Sequence, residues 1–218
     1  MLTNLESLTE ENLKLGLMEL ADRDRDFARI LDIFGHPPIW SREAGFPTLL
    51  NIILEQQVSL ASARAVFNRL CGTIVPLTPE NFLTLNDVQL KEIGLSRQKT
   101  VYSRALASAI TTGQLELTQL ETLDEAIIRT ELKRIKGIGD WTVDIYLLMA
   151  LKRPDVFPKG DLALAIALQK IKGWTVRPTP DELEAIAETW RPWRAVAARI
   201  LWHYYLEHRK NIIHSNPI

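Results

Sequence analysis

The sequence predicts an all-α fold, and three observations carry that prediction. Apolar residues recur at helical spacing in one segment after another. Short Gly/Pro-rich turn signals separate those segments. No alternating apolar–polar run is long enough for a strand, and β-leaning fragments such as residues 72–75 are too short to build a sheet.

Each element follows in order. Over 49–70 the apolar face is Leu49, Ile52 and Ile53, then Ala63, Val66, Phe67 and Leu70. A second helix spans 100–111, with Val101, Ala105 and Ile110 on one face. A third spans 124–135, marked by Ile127, Ile128, Leu132 and Ile135, and a fourth runs from Asp140 to Lys152, before Pro154. The next covers 162–171 and is ended by Gly173; helices over 180–190 and 193–209 complete the chain. Turn signals stand at 35–38, 76–79 and 177–180. There is no low-complexity linker and no strong internal repeat.

Composition bounds the function. Of 218 residues, 46% are hydrophobic, enough for a substantial core in one domain or two lobes. The single cysteine, Cys71, excludes a disulfide scaffold and any Cys-rich zinc or iron–sulfur site, and it fits a reducing cytosol. No basic N-terminal region followed by an apolar run is present, and no apolar stretch is long enough for a membrane span. The expectation is a soluble intracellular protein with no membrane partner. The net charge of −1 hides an asymmetry: residues 1–128 carry a net of −6 and residues 129–218 a net of +5. The basic part either faces a polyanion or is an ordinary solvated surface.

One stretch stands out. Between the third and fourth helices lies Gly137-Ile138-Gly139, followed by Asp140, Trp141 and Thr142. Glycines let the turn take positive φ and remove side chains that would block approach. The first amides of the next helix then point outward without intrahelical partners, and with the helix dipole they suit an anion such as a DNA phosphate. Ile138 is expected to point inward and anchor the hairpin. The alternative is a helical hairpin closed by glycines for packing alone. Asp161, 22 positions after Gly139, stands directly before a helix. It is an N-cap by type. The helix between, about 13 residues at about 1.5 Å each, followed by the loop at 153–160, can also return Asp161 toward the mouth of a cleft.

These strings together resemble the DNA-3-methyladenine glycosylase II (AlkA-type) family of the helix–hairpin–helix DNA glycosylase superfamily. The resemblance rests on ILEQQVSLASA at 53–63, IGLSRQKTVYSRALA at 93–107, IKGIGDWT at 135–142, VFPKGDLAL at 156–164 and WRPWRAVAARILWHYY at 190–205. It implies one domain over 1–218 with a two-lobed helical fold and the active-site cleft between lobes. Lobe A would cover about 48–135, lobe B about 1–47 plus 136–218, and the hairpin 132–151. The N-terminal β-rich lobe of the enterobacterial representative is not expected. Neither is the four-cysteine cluster of endonuclease III relatives. A monovalent cation between hairpin carbonyls and phosphate is what the family suggests; no other cofactor or metal is expected.

The implied activity is monofunctional. Bifunctional relatives carry a lysine after the hairpin, where Trp141 stands here, so no Schiff base is expected. An alkylated purine is cationic, and aromatic faces attract it by stacking and cation–π forces of roughly 0.5–2 kcal/mol per contact. By the resemblance, Trp141 and Trp202 line the base pocket, with Trp40 and Phe46 as further candidates; each is otherwise a core ring. Trp174 and Trp190 are read as core. A cationic base leaves readily, so the main need is an ionised carboxylate beside the sugar, a role assigned to Asp161, with Asp144 second. Gln57 matches the family residue that fills the gap left by the flipped nucleotide; otherwise it lies on an exposed helix or in an intrahelical pair. Double-stranded DNA with damaged bases is the expected partner, and the protein a monomer. A glycosylase for 8-oxoguanine, hypoxanthine or 1-methyladenine, and a non-catalytic hairpin DNA-binding protein, remain as alternatives.

Overall fold

The computed structural model describes residues 7–215, with side chains as far as Arg209. Every regular element among them is helical. The order is α1 (Glu10–Arg23), α2 (Arg25–Phe34), α3 (Phe46–Glu55), α4 (Leu60–Thr73), α5 (Pro79–Leu83), α6 (Asp87–Ile93), α7 (Arg97–Thr111), α8 (Glu125–Lys133), α9 (Asp140–Met149), α10 (Leu162–Lys172), α11 (Pro180–Ala187) and α12 (Arg194–Ser215). Single 3-10 segments follow α7 (Leu117–Thr122) and α11 (Glu188–Trp190).

Side-chain caps start most of these helices. Thr9, Asn86 and Thr179 form reciprocal capping boxes at α1, α6 and α11. Asp24, Ser59, Ser96 and Asp161 each accept a backbone amide at α2, α4, α7 and α10. The expected helix over 49–70 is two helices, because the chain turns at residues 56–59 and Ser59 restarts it as a cap. Helix α9 ends at Met149 rather than Lys152, which takes a φ of 54°. Helices α1, α2, α5 and α6 were not singled out by the spacing of apolar residues. The last two are 5 and 7 residues long, too short to display a helical period.

The chain forms two compact units, one continuous (Arg42–Tyr146) and one discontinuous (Met1–Ser41 with Leu147–Ile218). The hairpin apex therefore belongs with residues 42–146, whereas the expected lobes placed it with the C-terminal part. The physical reason is a set of bonds within that unit. The Gln56 amide reaches Gly137 and Thr142, Arg129 pairs with Asp144, and the Gly45 N–H donates to the Tyr146 hydroxyl at 3.1 Å.

In the continuous unit, α3 packs on α4 and α7. Leu49, Leu50, Ile52 and Ile53 are fully buried there, together with Phe82, Leu90, Leu106, Ile128 and Leu132. In the discontinuous unit, α12 packs against α1, α2 and α10. Leu17, Leu20, Leu164, Val196, Ile200 and Leu201 fill the centre. Each such side chain contributes about 1.5–3 kcal/mol by leaving water. Trp190 and Trp193 join this core, at 2% exposure each. Trp174 does not: it is 41% exposed on the loop after α10, against the core role expected for it. The C-cap at Gly173 turns the chain outward there, with φ 66°.

Candidate active site and nucleic-acid interface

In the continuous unit the hairpin joins α8 to α9. Its turn is closed by Ile135 N–H on the Leu132 carbonyl (3.1 Å) and Ile138 N–H on the Ile135 carbonyl (3.0 Å). Ile138 is 5% exposed and points inward, as its apolar side chain between two glycines requires. The two glycines differ. Gly137 takes φ 93°, and a Cβ there would overlap the ring of Tyr102 on α7. Gly139 does not have positive φ, contrary to the expectation for this turn, and a Cβ there would meet nothing within 4 Å. The Gly139 carbonyl accepts from Val143 N–H at 3.1 Å, so this exposed residue opens α9. A helix start leaves amides without intrahelical partners, and the dipole makes that end attractive to an anion.

Charge around the apex is arranged in pairs. Asp140 is exposed and bridges to Lys133 at 2.6 Å, which offsets its negative charge beside an anion-attracting turn. Arg134 pairs with Glu131. Lys136 is exposed and in no ion pair among the described residues; its place directly before Gly137 was the signal that the sequence offered for it. Thr142 is 2% exposed, with its hydroxyl turned to the Gln56 amide at 2.9 Å. Trp141 lies half-buried on the first turn of α9.

Gln57 sits on the turn between α3 and α4, exposed, with φ 56°. This is neither an exposed helix nor an intrahelical pair. Val58 and Leu60 beside it are 46% and 56% exposed. The base of the turn is tied down: Arg42 holds Glu55 through two bonds of 3.1 and 2.8 Å, and the Lys99 ammonium donates to the Leu54 carbonyl. Phe46 is 4% exposed and packs edge-on against Phe82, so the structure places it in the core of this unit. Asp144 is 4% exposed and meets Arg129 at 2.7 Å. Burial pushes its carboxyl up to about 6, against the pull of the Arg129 charge.

In the discontinuous unit Asp161 is 9% exposed at the start of α10. Its Oδ1 accepts from Ala163 N–H (2.9 Å), Leu164 N–H (3.1 Å) and the Trp202 indole N–H (3.2 Å). Asp161 is therefore an N-cap, and it is also fixed from the side by a ring on α12. Trp202 is itself 9% exposed. Trp40, at φ 40°, lies with its ring 6.4 Å from that of His203, the residue after Trp202. Of the expected base-contacting rings, Trp202 is thus bonded to Asp161, and Trp40 packs beside the neighbour of Trp202. Arg199 and His203, one face of α12, hold the Ile39 and Phe34 carbonyls of the segment before Trp40.

A helical chain with a glycine hairpin that bares a helix start, and a buried carboxylate fixed by two amides and an indole, has the build of a DNA-acting helix–hairpin–helix protein. Residues 50–192 match the family model of the HhH-GPD superfamily base excision DNA repair protein. The chain belongs to that family. It is 28% identical over 192 residues to DNA-3-methyladenine glycosylase 1 of Schizosaccharomyces pombe, covering 85% of this chain and 84% of that protein. The alkylbase DNA glycosidase-like protein mag2 of the same organism is 26% identical over 172 residues, 77% of this chain and 81% of that one. The solved structure of the Schizosaccharomyces pombe 3-methyladenine DNA glycosylase Mag1 in complex with abasic DNA matches with a TM-score of 0.82 at 27% identity, over 86% of this chain and 94% of that chain. No helix among the described residues is long and apolar enough to cross a membrane.

Proposed function

We propose that the protein is a monofunctional DNA glycosylase of base excision repair. It takes alkylated purines of the 3-methyladenine type out of double-stranded DNA and hydrolyses the bond between base and sugar, leaving an abasic site. The observation that carries this reading is the Asp161 carboxylate, buried at a helix start and fixed by two amides and the Trp202 indole.

The reaction follows from what the base is. Alkylation leaves the purine cationic, so its departure returns the bonding electron pair to the ring and neutralises it. Positive charge grows on the anomeric carbon as that bond breaks. Asp161 stabilises that charge and orients the water that adds to the carbon. Trp202 keeps the carboxylate from rotating away. Trp141 supplies an aromatic face and no amine, so the sugar is not captured as a Schiff base.

Gly139 and Asp140 at the start of α9, with Lys136, take a backbone phosphate, while Thr142, expected among the DNA-contacting residues, is buried behind them with its hydroxyl on Gln56; Gln57 enters the duplex where the base has left. A monovalent cation at the hairpin, as the family implies, would be held by main-chain oxygens, of which that of Gly137 already accepts from Gln56. No step passes through it. The chain carries each of these groups itself, so a monomer suffices, working in the cytoplasm with the nucleoid.

The test is base release from methylated duplex DNA and from a panel of single-lesion duplexes, by the parent and Asp161→Asn. Asn caps a helix as well as Asp does, so the variant is expected to stay folded and bind lesion DNA. Its single-turnover excision is expected to fall by about 10²-fold or more, the scale of losing one aimed electrostatic group. Near-normal excision would reduce Asp161 to a cap. Borohydride trapping of an enzyme–DNA adduct would overturn the monofunctional reading.

A further inference from the structure

We infer that Gln56 is a positioning residue that joins the Gln57 turn to the hairpin, so that phosphate grip and insertion into the duplex act as one body. The inference rests on the reading that both segments meet DNA. A single side-chain nitrogen, Gln56 Nε2, donates to the Gly137 carbonyl (2.9 Å) and to the Thr142 hydroxyl (2.9 Å). An amide NH2 has two hydrogens, and these two bonds use both. The acceptors flank the apex: Gly137 precedes Gly139, and Thr142 follows it on the first turn of α9. Gln56 therefore spans the hairpin from below while its chain neighbour, Gln57, projects into solvent at φ 56°.

A second connection runs through α7. Lys99 donates to the Leu54 carbonyl at the end of α3, and Tyr102, three residues on and on the same face, lies under Gly137. The Tyr102 hydroxyl accepts from the Gln98 amide at 2.7 Å. A left-handed non-glycine residue persists only when its surroundings over-determine it. Here Arg42, Lys99 and Gln56 fix the three residues before Gln57. Insertion demands such rigidity, because a displacement of about 1 Å between a gripping group and a working group costs about 10²-fold.

The experiment combines Gln56→Leu and Gln56→Glu with Gln57→Ala. Leu removes the amide, and Glu keeps the shape while replacing the donors by acceptors that face the Gly137 carbonyl. The duplexes carry 2-aminopurine beside the lesion, so that unstacking is read by fluorescence, alongside single-turnover excision, affinity for undamaged duplex and melting temperature. Either Gln56 variant is expected to stay folded and to lose at least about tenfold in excision, with a matching drop in fluorescence change and affinity for undamaged duplex within about twofold. Gln57→Ala is expected to cost less in the Gln56→Leu background than in the parent, by about threefold or more. Equal Gln57→Ala effects in both backgrounds overturn the coupling. Unfolding of both Gln56 variants and of Thr142→Val, which removes one acceptor only, also overturns it and makes Gln56 a stability residue. If Gln57→Ala leaves the parent unchanged while Gly139→Val weakens DNA binding, the coupling falls and the glycosylase reading stands. If neither substitution affects DNA, the reading beneath the inference falls with it.

Discussion

Gly137 and Gly139 stand two residues apart under opposite constraints. At Gly137 a side chain meets a left-handed φ and the Tyr102 ring. Gly137→Ala is expected to lower stability by about 2 kcal/mol or more, from backbone strain and overpacking together, read by urea denaturation. At Gly139 nothing of the protein stands in the way. Gly139→Val is expected to fold within about 1 kcal/mol of the parent, the usual span for a residue at a helix start. What it crowds is the approach of a phosphate, so affinity for lesion and undamaged duplexes should fall by a shared factor at fixed salt. Unchanged binding would make the turn a packing device. The Gly-x-Gly string alone does not separate these two cases, because the difference comes from Tyr102, 35 positions upstream. The tryptophans are similar: the resemblance set Trp202 apart for the base pocket, but its bond to Asp161 and the exposure of Trp174, read as core, come only from tertiary placement.

Between α8 and α9 the pair of half-buried Arg129 and buried Asp144 braces the two arms of the hairpin. Burial lifts Asp144 from 3.8 in the open chain to about 6. A carboxyl whose folded value lies above its unfolded value favours the folded state while protonated. That contribution is fully present below about pH 4 and is lost as pH rises through about 6. At 1.36 kcal/mol per unit, the full loss is about 3 kcal/mol. Asp144→Asn cannot titrate, so its stability relative to the parent is expected to improve by about that amount between pH 4 and 7, in urea titrations across the range. A relative stability that worsens with pH would show that the Arg129 attraction outweighs burial. The type of α8 and α9 was legible from periodicity; this brace was not, because an Asp four residues after Asp140 reads equally well as a surface group. The turn inside 49–70 was legible only as two glutamines beside small residues. What breaks the helix is the set of tertiary bonds to Leu54, Glu55 and Gln56.

Over the whole chain, the all-α class and the hairpin followed from sequence pattern, while a continuous and a discontinuous unit were expected from the family resemblance alone, with boundaries that differ by about ten residues at the hairpin. A unit made of Met1–Ser41 and Leu147–Ile218 needs bonds between segments more than a hundred residues apart, and local spacing carries no record of them. Arg199 is the clearest such bond. It is fully buried and its guanidinium donates to the carbonyls of Ile39 (2.8 Å), Leu148 (3.0 Å) and Ala195 (3.0 Å). Burial alone draws it down to about 10, still far above neutrality, so the cation is kept at working pH and satisfied by carbonyl dipoles. In sequence, an arginine in "AVAARILW" reads as a basic residue on an apolar helix, and the natural guess is a surface charge. Arg199→Met preserves length and apolar contact but strands the Ile39 and Leu148 carbonyls, each costing about 1–3 kcal/mol when left without a donor, while that of Ala195 keeps its bond within α12. Relief of burying a charge offsets part of this, so the expected net loss is about 3 kcal/mol. Because Arg199 holds Ile39, the residue before Trp40, the damage should not be uniform. Hydrogen exchange is expected to rise first around residues 34–41, before the α3 amides of the continuous unit respond. Uniform acceleration through both units would show instead that the molecule opens as a single cooperative body.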